Sequence, residues 1–183
     1  MDIEEAIRGR RSIRKYRNQD IADFVIEEIL DLARQAPSSM NGQPWCFAVV
    51  RKNETKRRLA EIKNKYCPVE KQVYRADFIQ NASAIIIVCV DREKSYDRGI
   101  ENGVLASANI LLAAYSKGIG SVYMSAYKTD EPALANEIKL TLGIPEHVDP
   151  ISIIPLGYPD ESPEPKNMQS LHGIIWYETL AGR

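Results

Sequence analysis

Two polar stretches of this sequence carry the side chains best suited to binding a ligand. The first, residues 8–17, holds six cations in ten positions, and Arg10, Arg11 and Arg14 lie within two residues of Ser12. Arginine suits a phosphate group because its planar guanidinium matches the phosphate oxygens better than an ammonium does. The cluster therefore predicts a local anion site.

Part of this cluster has a simpler explanation. A short helix is predicted over residues 2–7, and the C-terminal end of a helix favours cations such as Arg8 and Arg10. That explanation does not extend to Arg14 and Lys15, which lie beyond the helix.

The second stretch, residues 37–45, places small hydroxyl and amide side chains between two prolines and before the indole of Trp45. Between the two prolines lie Gly42 and five further residues: Ser38, Ser39, Met40, Asn41 and Gln43. Each proline restricts its own backbone and biases the preceding residue towards extended geometry, so the loop is stiffer than its length suggests. Such a loop suits a ligand rich in hydroxyl and amide groups. Taken alone, it could equally be a capped turn with Trp45 as a core residue.

The two stretches together indicate a ligand with three chemically distinct parts. Arginines match a phosphate, whereas serine and asparagine match a polyol chain. Amides beside an apolar wall match a large planar heteroaromatic, with a positive charge near the point where electrons accumulate. Flavin mononucleotide (FMN) has all three parts.

The composition indicates one globular domain over residues 1–183, with 44% hydrophobic and 27% charged residues. A net charge of −1 argues against a nucleic-acid partner, which would require a broad excess of positive charge. The two histidines have no ligand-type neighbours at metal-binding spacing, and the three cysteines show no paired short spacing. With no targeting signal and no membrane-spanning stretch, a cytoplasmic protein is expected.

Apolar periodicity predicts a mixture of helices and strands in this domain. Asp2, with Glu5 three residues later, should cap the first helix. Helices are predicted over residues 2–7, 21–36, 54–65, 101–117 and 130–142, and strands over residues 46–50, 84–90 and 151–157, with a further strand leaving the turn at 118–123. The pattern over residues 71–80 does not distinguish a further helix from a mobile excursion.

Two of these segments predict a homo-oligomer. Small and aliphatic residues cover almost every face of helix 101–117, so it should be buried in a large core or against a second subunit. Residues 173–177 are strand-like and follow a polar, proline-rich linker, so they could pair with a partner's sheet as readily as with their own. Both strands near the chain centre, 46–50 and 84–90, are expected to be buried.

The chain resembles the FMN-dependent nitroreductase family in the order and spacing of five segments, which are residues 10–16, 37–45, 118–121, 142–145 and 156–159. The resemblance implies an α+β, nitroreductase-like fold with a central, mainly antiparallel sheet flanked by helices. It also implies a homodimer that exchanges its C-terminal segments and binds one FMN at each end of the interface.

The resemblance further implies which residues bind the cofactor. The phosphate and ribityl end would face Arg10 and Arg14, whereas the 37–45 loop would reach the flavin bound mainly by the other subunit. The full implied set is Arg10, Arg11, Ser12, Arg14, Ser38, Ser39, Met40, Asn41, Gln43, Asn64, Ser121 and Lys166. The chain departs from the family pattern at Met168, where a second basic residue is common, and at residues 122–126, where many members have a glycine.

The activity implied by the resemblance is ping-pong transfer of a hydride from NADH or NADPH, through the flavin, to a small aromatic acceptor such as a nitroaromatic or a quinone. No side chain is expected to act as a catalytic acid or base, because the cofactor supplies the chemistry. Alternatives within the same fold are dehalogenation, heterocycle dehydrogenation and flavin breakdown. A non-catalytic flavin sensor and an FMN-free structural dimer are the remaining interpretations.

Overall fold

The computed structural model describes residues 1–68, 75–129 and 131–180, and its centre is an antiparallel sheet. The strands are β1 (Trp45–Val50), β2 (Ala84–Asp91), β3 (Gly120–Ser121), β4 (Met124–Ser125) and β5 (Val148–Gly157). Their order across the sheet is β1, β2, β5 and β3, with β4 also pairing with β5, and every pairing is antiparallel. This arrangement confirms the predicted sheet.

Within the described residues, five α-helices flank the sheet: α1 (Ile3–Gly9), α2 (Asp23–Ala33), α3 (Asn53–Lys65), α4 (Gly99–Ser116) and α5 (Ala133–Leu142). The predicted cap of α1 is confirmed, because the backbone N–H of Glu5 donates to Asp2 Oδ1 at 2.8 Å. Helix α2 begins two residues later than predicted because Ala22, its N-cap, has an extended backbone with φ −63° and ψ 147°. The Ile21 N–H donates to Ser83 Oγ at 2.8 Å.

Strand β2 separates two hydrophobic cores. Alternate side chains such as Ile86 and Val88 pack with α2 and α4 on one face, whereas Ile85 and Ile87 pack with α3 and α5 on the other. Because all eight residues of β2 are buried, the predicted interior strand is confirmed.

Strand β1 corrects one expectation, since it forms an edge of the sheet and is not a buried strand. Of its six residues only Val50 is buried, while Cys46 and Val49 are exposed. An uninterrupted apolar run does not distinguish an edge strand from a central one, because burial depends on which strands and helices cover it. Among the described strands, β1 pairs only with β2, so its outer edge presents unpaired backbone groups to a further strand.

Helix α4 packs closely on the sheet along one side and is uncovered on the other. A Cβ at Gly103 would lie 2.6 Å from Ile151 Cγ1, so only glycine allows this approach to β5. On the opposite side Ile100, Val104 and Leu105 remain 38–43% exposed. The chain by itself therefore does not bury α4 on every face.

The C-terminal strand-like segment is not a strand in this structure. A 3-10 turn at Leu171–Gly173 precedes it, and residues 174–177 pair with no strand of the described chain. Ile174, Trp176 and Tyr177 lie at the surface. The strand predicted from residues 118–123 does form, but only as the two residues of β3.

Part of the undecided segment 71–80 lies outside the described residues, which omit 69–74. Beyond this gap, Asp77–Asn81 forms a 3-10 helix. No helix in the described parts of the chain has the length and apolar character to cross a membrane.

Candidate functional site

A cavity of about 450 Å³ lies where the arginine-rich segment meets the edge of the sheet. We call it the arginine cavity. Its walls are Met1, Gly9, Arg10, Arg11, Ile13, Tyr115, Gly118, Ile119, Gly120, Ser121, Pro159, Glu161, Ser162, Pro163 and Pro165. The fold thus brings the predicted residues Arg10, Arg11 and Ser121 into one cavity.

Backbone hydrogen bonds attach the arginine-rich segment to the sheet. Ser12 forms a parallel bridge with Ser121, and the Ile13 N–H donates to Ser121 O at 3.0 Å. Gly120 allows this approach, because a Cβ there would lie 2.8 Å from Ile13 Cγ2. Ser12 is therefore placed by its backbone against the segment that contains Ser121.

The Arg11 side chain binds backbone carbonyl oxygens of its own chain, which its position in the sequence did not indicate. Its Nη1 donates to the carbonyl oxygens of Arg8 at 2.8 Å, Gly9 at 3.1 Å and Arg10 at 3.0 Å. Its Nε donates to Glu164 O at 3.3 Å. Most of the guanidinium is thus engaged by the chain's own carbonyls, so Arg11 shapes the wall instead of presenting a free fork to a ligand.

Arg10 and Arg14 differ from Arg11 in this respect. Within the described residues, neither side chain makes a hydrogen bond or ion pair with the protein. Arg10 is half-buried in the cavity wall, whereas Arg14 is exposed and is not a lining residue. Both guanidinium groups remain available to an anion, as the phosphate assignment requires.

Glu161 is a residue of this site that sequence reasoning missed. Its Oε1 accepts a short hydrogen bond from the Arg14 N–H and another from the Lys15 N–H at 3.0 Å. Burial of Tyr16 and, to a smaller extent, the nearby Glu161 carboxylate raise the pKa of this tyrosine. Its hydroxyl donates to Ile13 O at 2.6 Å. The carboxylate therefore holds the backbone of the arginine-rich segment.

Lys166 lies beside the arginine cavity, and its contact with a cofactor phosphate stays a prediction. Its Nζ donates to Ile7 O at 3.3 Å, and it lines an adjoining cavity together with Arg11 and Met168. Desolvation and the nearby Arg10 and Arg11 charges lower the pKa of Lys166. Met168 contributes no charge there, so Lys166 and the neighbouring arginines supply the positive charge of this region.

The 37–45 loop does not line the arginine cavity within one chain. Three of its non-glycine residues, Met40, Asn41 and Gln43, have positive φ angles of 51°, 53° and 46°. Such backbone geometry is costly and persists where the surroundings enforce it, often at functional sites. Met40 is 81% exposed, so the tip of the loop projects from the subunit.

Hydrogen bonds within the loop stabilise this conformation. Ser38 Oγ accepts from the Gln43 N–H at 3.0 Å, and Gln43 Nε2 donates to Asn41 Oδ1 at 3.3 Å. Ser39 donates its N–H to Asn102 Oδ1 at 3.1 Å. The loop is thus built as a capped turn, and its exposed face is still available to a ligand.

Asn102 on α4 is a second residue that sequence reasoning missed, and it anchors the loop. Besides accepting from Ser39, its Nδ2 donates to Ser95 O at 3.1 Å, and its backbone carbonyl accepts from Trp45 Nε1 at 3.0 Å. The residue is 1% exposed. A buried asparagine amide joined to two loops is a structural constraint on the 37–45 geometry.

Replacing Asn102 with alanine should therefore destabilise the protein. The change leaves the partly buried N–H of Ser39 without its acceptor and removes one of the two hydrogen bonds to the buried Ser95 carbonyl, which costs about 1–3 kcal/mol in the free energy of unfolding. Urea denaturation measures the loss. Asn109→Ala on the same helix is the control, since its amide makes a single 3.3 Å hydrogen bond. Equal losses in the two variants would contradict the anchoring role.

Asn64 lies at the end of α3 and away from the cavity walls. Its Oδ1 accepts from the Ala76 N–H at 2.7 Å, and its Nδ2 donates to Asp77 Oδ1 at 2.7 Å. The amide thus links α3 to the 3-10 helix at Asp77–Asn81. Contact between Asn64 and a flavin stays a prediction.

The residues of the arginine cavity fit FMN. Ile13, Ile119 and the prolines form apolar walls suited to a planar ring, while Arg10 offers an unpaired guanidinium. A Cβ built at Gly118 would meet no atom within 4 Å, so this turn leaves open space along the backbone. The volume of about 450 Å³ falls within the usual range of small-molecule sites.

Comparison with known proteins gives this site a family context. A model of the nitroreductase family matches residues 7–158. A protein of Methanothermobacter thermautotrophicus, provisionally named NADH dehydrogenase/NAD(P)H nitroreductase, is 39% identical over 170 residues, which cover 92% of this chain and 83% of that relative.

Two further relatives cover nearly the whole chain. A protein of Thermotoga neapolitana named iodotyrosine deiodinase is 28% identical over 195 residues, which cover 97% of this chain and 98% of the Thermotoga protein. Among solved structures, an FMN-dependent nitroreductase of Clostridium difficile R20291 has a TM-score of 0.84 and 26% identity. The match covers 97% of this chain and 99% of the Clostridium chain.

Proposed function

This chain belongs to the nitroreductase family, and we propose that it reduces electron-poor aromatic acceptors in a ping-pong cycle. The protein is an NAD(P)H-dependent oxidoreductase with FMN as its cofactor. Reduced nicotinamide is the electron donor, and a nitroaromatic or quinone is the proposed acceptor. The cytoplasm, where reduced nicotinamides are plentiful, is the proposed location.

The observation that carries this proposal is the arginine cavity itself. It combines the unpaired Arg10 guanidinium, apolar walls and the open backbone at Gly118. We assign Arg10 and Arg14 to the cofactor phosphate, with Lys166 adding positive charge nearby. Ser12 and Ser121 belong to the adjacent backbone bridge, and Arg11 holds the wall in shape through the carbonyls that it binds.

FMN, when bound, supplies the two-electron chemistry. The task of the protein is then to orient the ligands, exclude water and provide a suitable electrostatic environment. Glu161 is the only carboxylate among the described lining residues, and it already accepts two backbone N–H groups. We therefore assign no side chain as a catalytic acid or base.

A ping-pong order is part of this proposal. The hydride donor and the acceptor would both have to reach the flavin ring, which is where the electrons enter and leave. Donor and acceptor would therefore occupy the same space in turn. The first product leaves before the second substrate binds.

We also propose that the active protein is a homodimer with exchanged C-terminal segments. The uncovered edge of β1, the exposed residues Val104 and Leu105 on α4, and the apolar side chains of residues 171–180 support this assembly. In it, Ser38, Ser39 and Asn41 would contact the flavin of the partner subunit, with Met40 and Gln43 alongside. A flavin-loaded protein that sediments as a monomer would contradict the proposal.

An absorbance spectrum tests the proposed reaction directly. The purified protein should show flavin bands that bleach under anaerobic NADH or NADPH and return after a nitroaromatic or quinone is added. A sample without nicotinamide is the control for spontaneous bleaching. Bands that persist with both donors would contradict the reductase proposal, and a protein that stays colourless with added FMN would contradict cofactor binding.

Reductive dehalogenation is a second candidate, favoured by the relative named iodotyrosine deiodinase. The same anaerobically reduced protein can be offered 3-iodotyrosine in place of a nitroaromatic. Release of iodide together with return of the flavin bands would favour dehalogenation. Return of the bands with the nitroaromatic alone would favour the nitroreductase proposal.

A further inference from the structure

A second cavity, of about 610 Å³, lies between the 16–20 segment, the start of α3 and residues 80–83. We call it the Lys56 cavity. Its walls are Tyr16, Arg17, Asn18, Gln19, Asp20, Asn53, Lys56, Arg57, Gln80, Asn81, Ala82 and Ser83. It shares no lining residue with the arginine cavity, and the proposed oxidoreductase chemistry does not use it.

The charged side chains of this cavity are mainly positive. Arg17, Lys56 and Arg57 contribute three cations, against the single carboxylate of Asp20. Within the described chain, neither arginine side chain forms an ion pair or a hydrogen bond, and no ion pair joins Lys56 to Asp20. This local excess contrasts with the net charge of −1 for the whole chain.

Lys56 is the buried member of this set. The residue is 6% exposed, and its Nζ donates to Ala82 O at 2.7 Å. Because Ala82 also lines the cavity, this contact places the ammonium group at the cavity wall. Burial is the largest effect on Lys56 and lowers its pKa. Of the nearby charges, Asp20 raises that pKa and Arg51 lowers it. A buried cation without a paired anion is unfavourable, and a bound anion would offset that cost.

The remaining polar walls suit the rest of an anionic ligand. Amide side chains are donors as well as acceptors, and this cavity has five of them: Asn18, Gln19, Asn53, Gln80 and Asn81. Asn53 is also the first residue of the 13-residue helix α3. The positive end of the helix dipole therefore adds to the field of the three cations.

We propose that the Lys56 cavity binds a small anion with a phosphate or pyrophosphate group, held by Arg17, Arg57 and the buried Lys56. The two guanidinium groups favour phosphate because their planar forks match its oxygens. This site is separate from the cofactor site, so its occupant need not take part in the redox reaction.

Calorimetric titration of the FMN-loaded protein with sodium pyrophosphate tests the proposal. Unbound FMN is removed beforehand by gel filtration, because its phosphate group would compete with pyrophosphate, and ionic strength is held constant. We expect saturable binding with one site per chain. The double variant Arg17→Ala/Arg57→Ala should weaken it by roughly tenfold or more, since it removes two charge-assisted contacts.

A matched double variant, Lys15→Ala/Lys52→Ala, removes two exposed cations that do not line this cavity. It should leave pyrophosphate binding within about twofold of the parent. Equal weakening by both double variants would overturn the proposal, because it would indicate general surface attraction. Absence of saturable binding, or tighter binding of citrate than of pyrophosphate, would overturn it as well.

Discussion

Replacing Arg10 and Arg14 together with alanine should release FMN from the protein. Each guanidinium is without a protein partner among the described residues, and each is assigned to the cofactor phosphate. A hydrogen bond to a charged group contributes about 1.5–3 kcal/mol, with the smaller figure appropriate to an exposed residue such as Arg14. Loss of both contacts should raise the dissociation constant of FMN by about 100-fold or more.

Flavin absorbance after dialysis, followed by fluorescence titration with FMN, measures this effect. The matched control is Arg8→Ala/Lys15→Ala, which removes two cations from the same segment but none from the cavity wall. If both double variants lose flavin equally, the general field of the segment holds the cofactor and the specific assignment is wrong. A double Arg10/Arg14 variant as yellow as the parent would also contradict it.

Replacing Glu161 with alanine should weaken FMN binding by about tenfold or more, although the change removes a negative charge from the cavity wall. The carboxylate accepts the backbone N–H groups of Arg14 and Lys15, so its loss releases the segment that carries the arginines proposed to bind the phosphate. A charge-assisted hydrogen bond is worth about 1.5–3 kcal/mol, and partial exposure reduces that figure. Positioning of the segment should therefore outweigh relief of charge repulsion.

Fluorescence titration with FMN again provides the measurement. Glu161→Gln retains one acceptor oxygen and should fall between the parent and Glu161→Ala. The control is Glu164→Ala, because within the described chain only the backbone carbonyl of Glu164 forms a hydrogen bond here. Tighter FMN binding by Glu161→Ala would show that repulsion dominates and that the positioning role is wrong.

Local chemistry explains why much of the fold could be predicted from sequence. Helix capping by Asp2 involves residues three positions apart, and the buried run of β2 needs no long-range information to be recognised as apolar. The types of side chain in residues 8–17 and 37–45 likewise indicate, by their chemistry alone, a ligand with a phosphate and further polar groups. Strand pairing partners and the covering of each strand are not local, which is why β1 was wrongly expected to be buried.

The amino-acid sequence by itself determined the order of the five α-helices and of β1, β2, β3 and β5, the motifs of the family and the two polar stretches, because these depend on residues close together in the chain. It did not indicate β4, and the strand expected at residues 173–177 does not form. Only the tertiary structure decided which arginines are free. It turned Arg11 inward onto carbonyl oxygens and brought Glu161 to Arg14 across 147 positions of sequence. It also placed Asn102 beneath the 37–45 loop and Lys56 in the wall of a second cavity. Such contacts arise from packing between distant segments, and no local pattern encodes them.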